Sequence, residues 1–449
     1  MLSFEAIVEV CISDYLVGYL NSKDFFQIVS SNLNLKKLLF MKFVKKKCVP
    51  LSMFPDIFNS VTNPIIPLSH IPDVKYLYIN NKEMFAKYMR DDFYTSNKLI
   101  SITFEDSPSI TQNYKYIKIS DKFFNRLEFT HNIPNKISEL IFGKYYDMYI
   151  FKLPSELKYL TFGDNFNSHI VFFPPNLEYL RFGKSYNQYL DGSDLPDSLK
   201  HLFFGDCYNL ELPALPPNLI ELDLGGCYNE PYLANTLPQS LEKLKFSTSF
   251  NHPITDPLPR SLKHLEFGDR FNQSLNKNMF PDNLMTNLTE LKFGSDYNHL
   301  ISQNDLPSNL QILIFGEKFN QPILKDTLPS KLTYLDLGND FSHPLTYPLP
   351  GSLRILIFSD RYNHSLPPLP DSLTDITFGN YFNQPLTEPL PFNLMNVSFG
   401  TNYKQKINRN IISPSLQPNL SRMSFKSNFN LSNLSDLKDL SIVHITQNK

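Results

Sequence analysis

Tryptophan is absent from the chain, and glycine and cysteine are scarce, with 15 Gly and 4 Cys among 449 residues. Average usage of about 7% would supply roughly 31 glycines. So few argue against collagen-like, glycine-linker or phosphate-loop-rich architectures. Cys11, Cys48, Cys207 and Cys227 form neither a disulfide framework nor a paired zinc-knuckle spacing. Charge of one sign is lacking too. The 42 basic and 44 acidic side chains leave a formal net charge of -2, which creates no overall field for nucleic acid or an anionic membrane. No uncharged apolar run reaches the roughly 20 residues that span a bilayer. Met1 to Leu20 contains Glu5, Glu9 and Asp14 and has no basic start, so it does not read as a signal peptide. These absences lead us to expect a soluble, intracellular, cytoplasmic protein, with no nucleic acid and no membrane among its partners.

What the chain does have is 34 prolines, 38 phenylalanines and 24 tyrosines, and most of them recur in register. Self-similarity at 20 to 26 residues runs from about residue 134. Anchored on the first core aliphatic, 14 copies begin at Ile137, Leu157, Leu177, Leu199, Leu219, Leu241, Leu262, Leu288, Leu310, Leu332, Leu353, Leu373, Leu394 and Leu420. Five residues after the anchor stands Phe in 12 copies, with Leu224 and Leu337 as the exceptions. Nine residues after it stands Phe or Tyr in all 14, followed by Asn in 11.

Each column has a mechanical reading. An aliphatic, two variable residues, an aliphatic, one variable residue and Phe make a short strand whose alternate side chains point inward. Stacked copies then form a parallel sheet with continuous aliphatic and Phe ladders. Gly follows the strand Phe or Leu in 11 copies, where a Cβ is unwelcome or φ is positive. Pro stands three residues before the anchor in 12 copies and precedes the hydrogen-bonded part of the strand, because it cannot donate to a ladder. The repeated Asn bonds either its own turn or the neighbouring coil. About 21 residues per copy leave no room for a long return helix. Extended or short 3₁₀ segments on the convex side are expected, in a solenoid of the leucine-rich-repeat type.

Residues 1 to 48 lack the repeat and read as short helices, the spacing of Ile7, Val10, Cys11 and Tyr15 being near the helical period. A unit of that size folds only against a partner or the adjoining solenoid. Residues 49 to 133 hold four fragments with the anchor, plus-three, plus-five pattern: Val74, Leu77, Ile79; Leu99, Ile102, Phe104; Tyr114, Ile117, Ile119; and Phe124, Leu127, Phe129. We read them as degenerate leading repeats, followed by the array at 134 to 430. Residues 431 to 449 then read as a C-terminal cap, with Leu437, Leu440 and Ile442 as a last degenerate rung.

No Walker, Gly-x-Gly-x-x-Gly, Gly-x-Ser-x-Gly or His-Glu-x-x-His motif occurs. His343 and His364 share a column on adjacent copies, as do Cys207 and Cys227; stacking creates such pairs automatically, and they read as turn residues. We expect no catalytic residue, no metal site and no cofactor. The informative positions lie two and four residues after the anchor, on the outward face of the strand. Glu221 and Asp223, Lys243 and Lys245, His264 and Glu266, Glu290 and Lys292 alternate in sign, as a self-neutralising ladder requires. The next three copies read Ile312 and Ile314, Tyr334 and Asp336, Ile355 and Ile357. Five of these six are apolar or aromatic on a face that meets water, which marks Ile312, Ile314, Tyr334, Ile355 and Ile357 as a partner site.

The array resembles the FNIP repeat, whose Phe-Asn-Ile-Pro signature appears as Phe250-Asn251-His252-Pro253, Phe319-Asn320-Gln321-Pro322 and Phe382-Asn383-Gln384-Pro385. Such repeats are familiar from social amoebae and giant viruses of amoebae, where they often follow an F-box. The run from Tyr15 to Phe26, with Lys23-Asp24 opening a second helix, resembles the middle of an F-box. That resemblance implies a Skp-family adaptor docked on Tyr15, Leu16, Leu20, Phe25 and Phe26, a cullin complex, and a target protein held by the solenoid. The function implied is substrate recognition in an SCF-type ubiquitin ligase, in the host cytoplasm if the source is viral. The alternative is a protein-binding scaffold without a ubiquitin link, its N-terminal helices acting only as a cap.

Overall fold

The computed structural model describes residues 137–434 apart from 151–152, 191–194, 233–235, 281–286, 414, 416, 427 and 431. It also describes the backbone of four strands outside that range, Tyr76–Ile79, Ser101–Phe104, Tyr116–Ile119 and His444–Asn448. The helical reading of residues 1 to 48, with Tyr15, Leu16, Leu20, Phe25 and Phe26, lies outside the described residues. The chain divides into two compact units, Met1–Gln188 and Tyr189–Lys449.

In the first unit the strands are β1 (Tyr76–Ile79), β2 (Ser101–Phe104), β3 (Tyr116–Ile119), β4 (Glu139–Ile141), β5 (Tyr159–Thr161) and β6 (Tyr179–Arg181). Each pairs in parallel with the next, and the register runs Leu77, Ile102, Ile117, Leu140, Leu160, Leu180. β3 pairs directly with β4; the Phe124, Leu127, Phe129 fragment lies outside the described residues.

The second unit holds β7 (His201–Phe203), β8 (Glu221–Asp223), β9 (Lys243–Lys245), β10 (His264–Glu266), β11 (Glu290–Lys292) and β12 (Ile312–Ile314). It continues with β13 (Tyr334–Asp336), β14 (Ile355–Ile357), β15 (Asp375–Thr377), β16 (Asn396–Ser398), β17 (Arg422–Lys426) and β18 (His444–Asn448). Again every strand is parallel to its successor. The last rung forms, but its register puts Ile445 opposite Met423; Leu437, Leu440 and Ile442 lie outside the described residues. Return segments are turns and extended coil, with a 3₁₀ turn at 432–434. Among the described residues, no helix is long and apolar enough to cross a membrane.

Within the repeats the strands are mostly three residues long, shorter than the six-residue pattern suggests, and the backbone explains why. The anchor N–H is spent in a turn: Leu157 donates to the Pro154 carbonyl at 3.2 Å and Leu353 to the Pro350 carbonyl at 3.1 Å. The ladder begins only beyond it, where Lys158 and Tyr159 both donate to the Ser138 carbonyl at 2.9 Å. So the proline column does more than admit the chain to the strand; its carbonyl closes the turn before it.

Inside, the anchor, plus-three, plus-five and plus-nine side chains are buried in rung after rung, for example Leu288, Leu291, Phe293 and Tyr297. The two aromatic columns stack on each other and along the array. Phe246, Phe267, Phe293 and Phe315 follow at ring spacings of 5.5 to 5.6 Å. Beside them Phe250, Phe271, Tyr297 and Phe319 follow at 6.1 to 6.2 Å. Within one rung the partners are closer, 3.8 Å for Phe315 and Phe319. Offset stacks of this kind add about 0.5–1.5 kcal/mol per pair beyond simple burial.

The glycine column has a steric cause in most rungs. A Cβ on Gly294 would sit 1.9 Å from the Gly268 carbonyl oxygen, and one on Gly316 would sit 1.7 Å from that of Gly294. Among the described residues, positive φ accounts for only two glycines, Gly225 at 71° and Gly338 at 72°. These follow Leu224 and Leu337, the two copies without the strand Phe, and each N–H bonds the preceding Asp Oδ1 (Asp223, Asp336) at 2.9 Å. In the rung after each one, Ser247 or Ser359 replaces the glycine, fully buried. The left-handed glycine redirects the chain, and a Cβ then fits. Each serine Oγ donates to a carbonyl of the preceding rung, Tyr228 or Phe341, and accepts the N–H of Phe250 or Tyr362 at 3.1 Å.

The repeated Asn bonds the neighbour rather than its own turn. Asn272 Oδ1 accepts the N–H of Asn298 at 3.0 Å, and Asn298 Oδ1 that of Asn320 at 2.9 Å. The next residue joins in where it is Gln or His, as Gln321 Nε2 donates to the Asn298 carbonyl at 3.2 Å. A further tie went unread in the sequence. Ser or Asn just before the anchor bonds the previous rung, as Asn218 Nδ2 does to the Asp197 carbonyl at 3.0 Å. Backbone groups that a three-residue ladder leaves open are satisfied this way.

Gly294→Ala is therefore expected to cost about 3 kcal/mol or more, because the obstacle is the backbone of the adjacent rung. Gly351, whose added Cβ meets nothing within 4 Å, should accept alanine within about 1 kcal/mol. Urea unfolding of the two variants, showing equal losses, would refute the crowding account.

Candidate functional site

The outward face is built by the same alternation that makes the core. With Leu244 or Leu313 turned in, the strand residues on either side turn out, and pairing in register lines them up between rungs. From β7 to β11 that line is polar and mostly charged, apart from Phe203. His201 Nδ1 lies 2.9 Å from Glu221, and Glu221 lies 4.0 Å from Lys243. Lys245 and Lys292 reach the same Glu266 oxygen at 3.7 and 3.1 Å, while His264 Nδ1 lies 2.8 Å from Glu290. The alternating signs do neutralise one another. A shallow groove of about 160 Å³ runs over these side chains, below the roughly 300–1,000 Å³ of a small-molecule site.

At β12 the character changes. Ile312 and Ile314, Tyr334, and Ile355 and Ile357 occupy the outward positions of three consecutive strands. The register sets Tyr334 between Ile312 and Ile355. All five are partly rather than fully exposed, since flanking side chains one rung away shield each other. The structure thus brings the five sequence-predicted residues together as one patch.

Asp336 is the sixth outward residue of the patch and lies in register between Ile314 and Ile357. Burial pushes its carboxyl up from the ordinary carboxylate value, and the Gly338 N–H offsets only part of that. Tyr334 is likewise pushed up, first by burial and then by the Asp336 charge, which keeps the phenol neutral. The sequence names Asp336 as an outward residue, but its flanking by two isoleucines is visible only in the sheet.

The remaining candidates are structural. His343 Nε2 donates to the Asn320 carbonyl at 3.2 Å and His364 Nε2 to the Ser342 carbonyl at 2.7 Å. A carbonyl can only accept, so in both rings Nε2 is the donor. Cys207 and Cys227 are exposed free thiols. Among the described residues no group of three or more His, Cys, Asp or Glu could hold a metal ion.

Short parallel strands, a phenylalanine spine, turn prolines and an asparagine ladder define a leucine-rich-repeat-like solenoid. Its particular kind follows from the repeat itself. The FNIP Repeat family model matches residues 150–185, 168–207, 208–249, 250–296, 284–318, 297–340, 319–361 and 362–389, which together span more than half of the chain. The chain belongs to the FNIP repeat family. Among solved structures it is similar to CroV588, described as a circular leucine-rich-repeat protein. There the identity is 26% over 84% of this chain and 73% of that one, with a TM-score of 0.40. It is also similar to YopM from Yersinia enterocolitica, at 20% identity over 86% and 79% of the two chains and a TM-score of 0.46. A chain of the Drosophila Toll–Spatzle complex shares the fold at 14% identity and a TM-score of 0.52, over 84% of this chain and 57% of that chain. Comparison with curated proteins gives no match.

The ionic part of the face should contribute little to stability, because its members are all partly exposed. Glu266→Gln, which leaves Lys245 and Lys292 without their shared carboxylate, is expected to cost below about 1 kcal/mol. Thermal melts should show that loss shrinking as salt is raised. A loss that salt does not alter would contradict this reading.

Proposed function

We propose that the chain is a non-enzymatic protein-interaction receptor that holds a target protein on the outward face of β12, β13 and β14. The observation that carries this reading is the contiguity of Ile312, Ile314, Tyr334, Ile355 and Ile357 across three strands in register. Covering such a patch releases about 25 cal/mol for each Å² of apolar surface. The surrounding polar rim supplies the usual anatomy of a hot spot. Ile314→Asp combined with Ile355→Asp changes only outward positions, so the fold should persist by circular dichroism while target capture is lost. Recovery of the same partners by the double variant would remove this patch as the site.

We further infer a place for the receptor in the cytoplasm, as the substrate-recognition subunit of an SCF-type ubiquitin ligase. The support is the F-box-like run from Tyr15 to Phe26 ahead of the repeats. In that reading Tyr15, Leu16, Leu20, Phe25 and Phe26 dock a Skp-family adaptor, and the solenoid brings its target near the catalytic subunits of the cullin complex by proximity. A scaffold without that link is the second reading, favoured by the need of any stacked array for an end cap. The full chain should copurify adaptor and cullin, and Leu20→Ala with Phe25→Ala should abolish that while leaving target capture intact. If the unaltered chain recovers no adaptor, the scaffold reading stands.

A further inference from the structure

The outward face from β12 to β16 has ten positions, carrying two carboxylates, Asp336 and Asp375, and no cation. Asp375 is already occupied, accepting from Asn396 Nδ2 and Thr374 Oγ1, each at 2.7 Å. Asp336 uses one oxygen to accept the Gly338 N–H at 2.9 Å. Its other oxygen has no protein partner among the described residues. Lys292, on the adjoining strand β11, is held by Glu266 at 3.1 Å, and Arg354, exposed just before β14, makes no ion pair among the described residues.

A second copy of the same turn shows what Asp336 lacks. Asp223 accepts the Gly225 N–H at 2.9 Å in the same way, so the turn accounts for the aspartate in both rungs. Asp223, however, stands in register beside Lys245, whereas Asp336 stands between Ile314 and Ile357. The turn needs an acceptor oxygen there; it does not need the charge to face two isoleucines. A carboxylate among aliphatic side chains is penalised until a cation meets it, and burial already drives this one toward protonation.

We propose that the partner bound on this face presents a lysine or arginine side chain to Asp336. The aliphatic stem of that side chain lies across Ile314 and Ile357, and its charged head meets the free carboxylate oxygen beside the Tyr334 ring. Long basic side chains suit such a site because stem and head have opposite preferences. A neutral phenol adds a ring face that attracts a cation. A small inorganic cation would gain nothing from the isoleucines and would find a single carboxylate. This inference rests on the docking reading above, to which it adds the chemistry of the occupant.

The test is selection of a random peptide library, displayed on phage, against the full chain and two variants. Asp336→Asn keeps the oxygen that accepts the Gly338 N–H and removes only the charge, so its melting curve should match the parent. Peptides selected on the unaltered chain should combine Lys or Arg with aliphatic or aromatic neighbours. On Asp336→Asn the basic preference should vanish, and an individual basic peptide should bind about tenfold more weakly. Basic residues enriched equally on both proteins, no basic enrichment on the parent, or no enriched peptide at all would each overturn the inference. The double variant Ile314→Asp with Ile355→Asp separates the two readings. If it loses the peptides while Asp336→Asn keeps them, the docking face stands and only its cation preference fails. If it keeps the parent's peptides, the docking reading fails as well.

Discussion

Within the strands, each residue lies beside its own counterpart in the next rung, at the roughly 4.8 Å spacing of paired strands. That spacing, with a parallel register that never shifts a column sideways, governs the rest of the structure. Rings stack along both aromatic columns, at the somewhat wider spacings of 5.5 to 6.2 Å from Phe246 to Phe319. A backbone carbonyl directed along the array meets the next turn, which is why glycine recurs there. An amide side chain is long enough to reach the next backbone, so Asn can bond its successor. Like charges cannot be repeated at that distance, and on the outward face Lys alternates with Glu.

Where a column breaks, the compensation appears one rung later. Gly225 and Gly338 take up positive φ, and the next rungs carry Ser247 and Ser359 in place of glycine. A buried serine would be costly without partners, yet each has both a carbonyl to donate to and an N–H to accept. The two departures are one device used twice. It also fixes an aspartate on the outward face in each case, since the left-handed glycine directs its N–H to that side chain. The surroundings of the aspartate then decide its chemistry, a lysine neighbour in one rung and isoleucines in the other.

The outward face is the one part of the strand that stacking leaves largely free. It must avoid repeated charge, but it has no volume to fill and no glycine to keep. Single ion pairs at partly exposed positions are worth about 1 kcal/mol or less, so the charged half of the face neither builds nor endangers the fold. Three strands of isoleucine and tyrosine have a different balance. They leave apolar side chains partly exposed to water. Such a face becomes intelligible when something else covers it.

Much of this was legible in the chain alone. Repetition at 20 to 26 residues gives the parallel solenoid, the inward and outward columns, and the five apolar positions of the face. A column read fourteen times leaves little freedom in which way a side chain points. The same repetition cannot say how far apart two backbones lie. It left open whether glycine answers crowding or positive φ, where the strand's first ladder bond falls, and which neighbour the asparagine bonds. Asp336 was plain as a letter, but not as a carboxylate set between Ile314 and Ile357. The sequence by itself determined what each rung contains, because periodicity is a property of one chain direction. Only the tertiary structure decided what each rung touches, because contact between rungs depends on register and distance.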